Sequence, residues 1–470
     1  MKRHRFKTEK VAGHRGHREH RGITSEIPLF VFPVRYSRQL LYLFDSSLRT
    51  LCALWQKAFC SGNLLRYTSV IISILFCTTC CYASVLPGID VLSGQNYGVL
   101  RNKRVGLITN HTGRSVSGES TIDLLHGAEG VKLVALFSPE HGIRGESDDK
   151  VSSGVDMKTG LPIHSLYGKT CRPTAEMLQG VDVLVFDIQD IGTRFYTYIG
   201  TLSLAMRAAK AAGIPFVVLD RPNPIGGEKV QGAIPITALP ERMNGCGAIT
   251  SIHPIPTRHG MTVGELARLF NEEFSIGCAL AVIPMQGWRR SMYFDQTGLA
   301  WINPSPNMKS MIAALLYPGP GTLETTSLSV GRGTEKAFMA YGAPWVDAAA
   351  VVKNLSARHI PGVTFQSCSF VPTTPGFPYK GLICKGVCLT VQDRDRFDPT
   401  LAGLHLVQAF YETNPKRFKV YEGFGTELGD RGVWNLLTKG RVKPETVLQG
   451  WGGELERFNT LRKRYLIYSD

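Results

Sequence analysis

A carboxylate and an imidazole, two groups that move protons near neutral pH, stand side by side in LFSPEHGIRG (136–145) as Glu140 and His141. The run before them, Val131–Phe137, reads as a buried strand, and Pro139 cannot continue a hydrogen-bonded ladder. Glu140 is therefore expected just past the C-terminal end of a strand, with Gly142 and Gly145 turning the chain sharply. One such motif alone fits a solvated loop carboxylate better. Three further clusters change the weighing. Asn110-His111-Thr112 follows KRVGLIT, and Asp187, Gln189, Asp190, Arg194, Tyr196 and Tyr198 close VDVLVFD and follow it. Asp220, Arg221 and Asn223 follow IPFVVL. Parallel strands put all four clusters on one sheet edge, where open α/β sheets bind their ligands. Carboxylates, amides, guanidinium groups and aromatic rings together suit a polyhydroxylated substrate better than a flat apolar cofactor.

The competing use of such an edge is a nucleotide, and its signals are missing. No G-x-G-x-x-G follows the first strand, and GLITNHTG has bulky residues where a pyrophosphate would meet the backbone. The Gly168-Lys169-Thr170 triplet has Ile163 where a phosphate-binding loop needs its first glycine. Neither G-x-S-x-G nor H-E-x-x-H occurs. No cofactor is expected, and a nucleotide-sugar or dinucleotide enzyme would need the missing glycine fingerprint.

The elements that must position these residues alternate regularly. Strands are expected at KRVGLITNHT, VKLVALFSPE, VDVLVFDIQD and IPFVVLDRPNP. Helices are expected at STIDLLHGA, at PTAEMLQG between Pro173 and Gly180, and at GTLSLAMRAAKAAG, stopped by Gly213. Near-continuous apolar strands separated by helices predict an α/β fold, a Rossmann-like parallel-sheet domain covered on both faces, over 84–256. The Gly226–Thr257 stretch reads as a crossover loop. Beyond it a helix and a strand restart the chain, followed by helices near 310–316, 347–355, 401–411 and 446–465. A long Gly-rich loop spans 317–336, and GVTFQSCSFVP and KGVCLTVQD read as antiparallel strands. Residues 257–470 thus form a smaller α+β auxiliary domain in this reading.

Of the 470 residues, 43% are hydrophobic and 19% charged, enough for a sizeable core. The net charge of +15 is concentrated at one end: residues 1–68 carry thirteen Lys/Arg against four Asp/Glu. Without a basic, aromatic-interleaved patch in the remainder, no nucleic-acid partner is expected. The first 65 residues read as a disordered or mis-assigned extension. Residues 66–83 read as a secretory signal: Arg66, an apolar stretch from about Val70 to Tyr82, then small residues. No Met lies between Met1 and Met157, and a non-Met start near Leu64 or Leu65 would place the signal at the N-terminus. The expected location is periplasmic or secreted, and membrane contact is expected only through this segment acting as an anchor or through lipidation at Cys80 or Cys81. Six of eleven cysteines lie beyond it, and Cys384, Cys388 and Cys368 are candidates for bridging among themselves or for buried thiols.

The motifs GLITNHTG, LFSPEHGIRG, TGLPIHSLYG, VDVLVFDIQDIGTRFYTYI, VLDRPNPIGG, TRHGMTVGELA, PSPNM and SVGRGTEKAF occur here in one order. In that order they resemble the bacterial exo-β-N-acetylmuramidases of the NamZ type, long described only as a domain of unknown function. The resemblance runs from about residue 90 to the C-terminus. It implies a glycoside hydrolase that releases N-acetylmuramic acid from non-reducing ends of peptidoglycan fragments, with its active site between a Rossmann-like and an auxiliary domain. The family's Gly-Thr-Asn ahead of S-x-G-R-G-T is replaced here by Thr325, Thr326 and Ser327. Glycoside hydrolysis needs a carboxylic acid to protonate the leaving oxygen, which points to Glu140. Asp190 and Glu324 are candidates for the second carboxylate, and the substrate's own acetamido group is the alternative. The lactyl carboxylate of muramic acid suits a planar guanidinium, so Arg194 and Arg332 are candidates to bind it. Tyr196, Tyr198 and Trp301 are candidates to stack on a sugar, and Asn110, His141, Asp220 and Asn223 complete the expected binding set. The other reading is a non-catalytic peptidoglycan-binding or scaffold protein on the same fold.

Overall fold

A computed structural model describes residues 84–143, 153–235 and 249–469. The basic extension, the signal-like segment and Gly145 lie outside them. The seven-stranded sheet comprises β1 (Lys103–Thr109), β2 (Val131–Ser138), β3 (Gly154–Val155), β4 (Pro162–Ser165), β5 (Val183–Asp187), β6 (Phe216–Leu219) and β7 (Leu280–Ile283). Its order is β3-β4-β2-β1-β5-β6-β7, parallel throughout except for the β3–β4 pair. A second, antiparallel sheet orders β8 (Ala340–Ala343), β10 (Cys384–Val391) and β9 (Val363–Phe370).

Ten helices accompany them among the described residues: α1 (Gly88–Gly94), α2 (Thr121–Gly127), α3 (Tyr198–Ala212), α4 (Val263–Glu273), α5 (Met311–Leu316), α6 (Ala348–Ser356), α7 (Pro399–Thr413), α8 (Gly423–Leu428), α9 (Val433–Thr438) and α10 (Pro444–Arg462). Strand periodicity divides the core as expected of a sheet covered on both faces. Val183, Val185, Val217 and Leu219 pack with Ile89, Leu92 and Ile122 on one face. Leu184, Phe186, Phe216 and Val218 pack with Leu202, Met206, Leu266 and Phe270 on the other. That second core continues without a break to Tyr341, Val387 and Phe410 of the auxiliary part.

Two sequence expectations change. The sheet does not end at residue 256, because α4 and β7 extend it to Ile283. The described residues of the 226–257 crossover form neither helix nor strand, as expected, though Ala233, Ile249, Ile252 and Ile255 are buried and Gln231 pairs with Arg258. The Pro173–Gly180 stretch forms successive turns rather than a helix, in keeping with the poor stability of a two-turn segment lacking a broad apolar face. Short elements β3, β4, β8, α8 and α9 carry too few residues to show a period. Of the candidate bridges, Cys368 pairs with Cys388, and Cys384 is a buried free thiol.

Candidate active site

The chain reverses immediately after β2. His141 and Gly142 have φ of 72° and 84°, and the Gly142 amide bonds back to Pro139 O. A left-handed histidine is uncommon, and such conformations concentrate at sites where geometry is imposed by function. The reversal leaves Glu140 half-buried, and Thr197 Oγ1 donates to its Oε2 at 2.9 Å. The Tyr167 hydroxyl also bonds to Glu140. Burial first, and then the Glu140 charge and hydrogen bond, push this phenol up to about 12. Glu140 is thus held from two sides, by the loop after β4 and by the N-terminus of α3.

Tyr196 and Tyr198 stand edge to face with ring centroids 5.0 Å apart. Both are buried, and Tyr198 donates to Pro304 O at 2.5 Å. Their phenols are raised by burial, and each also senses the charges of Glu140 and Asp190. Asn110 turns its Oδ1 to Thr112 N and Oγ1, at 2.9 and 2.5 Å, which leaves Nδ2 against Tyr198 without a well-formed bond. The Tyr196 hydroxyl lies beside Ser305 in the same state. Asp190 is buried, with Oδ2 taking the Gly192 amide at 2.8 Å and Oδ1 unpaired. Its carboxyl is raised to about 7 by burial, partly opposed by the amides of Gly192 and Ile191. Buried polar atoms are almost always paired, so this concentration of unpaired atoms marks a place built to meet something else.

The Gly-rich loop contributes a further cluster. Arg332 forms a two-point ion pair with Glu324, and its guanidinium lies over the rings of Phe338 and Phe377 at 4.9 and 4.3 Å. Both side chains retain about a fifth of their exposure (18% and 20%). Arg332 and Glu324 act electrostatically on Tyr317, which packs edge to face on Tyr196. This brings Glu140, Asp190, Asn110, Tyr196, Tyr198, Glu324 and Arg332 into one neighbourhood, with His141 at its turn.

The remaining candidates have structural work instead. Arg194 donates to Ala233 O at 2.7 Å, Ile255 O at 3.0 Å and Ser251 Oγ at 3.3 Å, and also to Glu427 O. With 1% exposure it clamps the α3 approach to the 233–255 connection and to α8. Asp220 accepts from Tyr468 Oη, Thr262 Oγ1 and the Gly264 amide, fixing the start of α4. Asn223 closes a turn through the Ile225 amide and Met261 O. Trp301 donates to Met308 O and packs on Phe294, so its ring is half-buried packing.

Sequence reasoning missed Tyr167, Thr197, Ser305 and Glu427. Tyr167 closes the quoted TGLPIHSLYG motif, and Thr197 separates the two tyrosines, so a signal existed for both. Glu427 had none. Burial and then the neighbouring Glu324 raise its carboxyl to about 8, with Arg194 and Arg332 opposing.

Two family models match in tandem: "Exo-beta-N-acetylmuramidase NamZ, N-terminal" over 105–312 and its C-terminal counterpart over 315–468. The peptidoglycan beta-N-acetylmuramidase NamZ of Bacillus subtilis (strain 168) is 45% identical over 387 residues, 82% of this chain and 91% of that one. Two crystal structures of DUF1343 family proteins from Bacteroides fragilis NCTC 9343 share the fold. One has a TM-score of 0.74 at 37% identity, covering 82% of this chain and 99% of its own. The other has a TM-score of 0.67 at 31% identity, covering 83% and 100%. With both halves matched in order and the curated relative aligned along nearly its whole length, the chain belongs to the NamZ family of exo-β-N-acetylmuramidases.

Proposed function

We propose that this chain hydrolyses the glycosidic bond of a terminal N-acetylmuramic acid at the non-reducing end of peptidoglycan fragments, with Glu140 as general acid. The observation that carries the reading is the grip on Glu140, bound by Thr197 and Tyr167 within electrostatic reach of Tyr196 and Tyr198. A scaffold protein has no need to fix one carboxylate beside unpaired buried polar atoms. Arg332 is the group for the lactyl carboxylate, since Arg194 is enclosed by backbone carbonyls. Incubation with N-acetylmuramyl-N-acetylglucosamine should release the two monosaccharides. Binding without any release would favour the scaffold reading.

Asp190 is the second carboxylate in this scheme, orienting the substrate or taking a proton from it. Glu324 is engaged by Arg332 and is less available. A base must be ionised, so a carboxyl raised to about 7 by burial gives a rate that rises with pH through about 7. Asp190→Asn should remove that rise along with much of the rate. An unchanged acidic limb in this variant would exclude Asp190 from the step. Folding carries the opposite sign. The folded state holds the proton more tightly than the unfolded chain, so stability falls as pH rises from about 4 to about 7.

The protein is exported in this reading, as the signal-like segment suggests. The Cys368–Cys388 disulfide supports it, because such bonds persist mainly in oxidising compartments. N-terminal sequencing of the secreted form should begin near Ser84, and a cytoplasmic product that retains the extension would reject export.

A further inference from the structure

A pocket opens on the same sheet edge, with a volume of about 490 Å³ counting the solvent at its mouth. Thr112, Gln189 and Arg221 bring it to the C-terminal ends of β1, β5 and β6. The strand order reverses there: the chain runs outward from β1 through β2 and β4, then returns to the other side of β1 as β5. Crevices at such reversals are where open α/β sheets take ligands. One turn separates this pocket from the Glu140 site. Asn110 faces Tyr198, whereas Thr112, which holds the Asn110 side chain, lines the pocket. His111 Nε2 lies 2.7 Å from Asn303 O and ties that turn to segment 299–305. That segment supplies Ala300 and Ile302 to the pocket and Ser305 to the Tyr196 neighbourhood.

The pocket combines two oriented guanidinium groups with an apolar wall. Arg221 is 5% exposed, and its Nε and Nη2 pair with Asp187 at 2.5 and 2.9 Å. Arg114 is oriented by bonds from Nε to His111 O and from Nη1 to Gly118 O. Arg221 Nη1 and Arg114 Nη2 make no such bond among the described residues, and both side chains line the pocket. Asp187 offsets the charge of Arg221, and Asp90, bonded to the Val116 amide, also senses Arg221. Arg114 is the pocket guanidinium that pairs with no carboxylate among the described residues. Planar guanidinium edges held in place suit a carboxylate, and Ala300, Ile302 and Phe294 offer an apolar surface beside them.

We propose that this pocket is a second ligand site, taking a carboxylate that carries a small apolar group, as the lactyl substituent of a muramyl sugar does. Only the source of that carboxylate rests on the muramidase reading. The donor is either a further muramyl unit on the same glycan or the released monosaccharide.

Titration calorimetry of the mature protein with N-acetylmuramic acid should show two sites, and with N-acetylglucosamine no occupation of the second. Ala300→Trp fills the pocket and should abolish the second site. Val116→Glu sets a like charge at its mouth and should weaken that site about tenfold, the order expected for one charge-assisted contact, while Val116→Gln changes it little. Both variants should release product from the muramyl disaccharide at the parent rate. A glycan source appears as a variant-specific loss of kcat/KM on the muramyl tetrasaccharide alone. A free-sugar source appears as altered product inhibition alone. A single site in the parent protein, or two unchanged sites in both Ala300→Trp and Val116→Glu, overturns the proposal. Failure to cleave the disaccharide would count against the muramidase reading, whereas the number of carboxylate sites is measured independently of turnover.

Discussion

Glu140→Gln lowers turnover on muramyl disaccharides by about 10²–10⁴-fold, the usual contribution of a positioned general acid, and leaves the fold intact. Glutamine keeps the shape and can still bond to Thr197 and Tyr167, so the change removes the transferable proton and little else. An activated aryl glycoside sharpens the test. Its leaving group departs with hardly any protonation, and the loss on that substrate should shrink markedly. His141 occupies the same turn and is the rival donor. If the imidazole is the acid, His141→Ala shows the leaving-group dependence and Glu140→Gln does not. Near-normal turnover of the natural disaccharide by Glu140→Gln would end the assignment.

Arg194→Met should destabilise the protein without altering its sugar preference. The guanidinium serves three backbone carbonyls, those of Ala233, Ile255 and Glu427. A buried acceptor left unpaired costs about 1–3 kcal/mol, so the total is on the order of 3–5 kcal/mol even after partial relaxation. Burial lowers this guanidinium to about 9, opposed by the Glu427 charge, as for a cation held away from solvent. Denaturant midpoints read the stability. The ratio of kcat/KM for muramyl over glucosaminyl substrates, measured on folded protein, reads the selectivity. A parental midpoint with that ratio collapsed would restore Arg194 as the lactyl-binding group.

The contrast between Arg194 and Arg332 shows what a linear chain can and cannot disclose. Period and composition identified β1, β2, β5, β6 and most of the long helices, because a strand buried on both faces must be apolar throughout. They also placed the polar clusters on one edge, since parallel strands leave no other arrangement. Glu140 was legible for a local reason: proline, glycine and a strand end fix its position within six residues. Family motifs then supplied the chemistry, in residues that are neighbours in sequence.

The division of labour among the other polar residues was decided only by tertiary structure. Arg194 and Arg332 are the same residue type, each within a family motif, yet one is surrounded by carbonyls contributed from residues 233, 255 and 427. The other pairs with Glu324 and lies over the rings of Phe338 and Phe377. Asp220 became a helix anchor because Tyr468, 248 positions away, reaches its carboxylate. Tyr167 and Glu427 joined the site through contacts that local periodicity cannot register. Hydrophobic pattern is a property of consecutive residues, so the sequence determined which elements form and which faces they bury. Whether a buried polar group is satisfied depends on partners brought from distant segments, and packing alone assigned those.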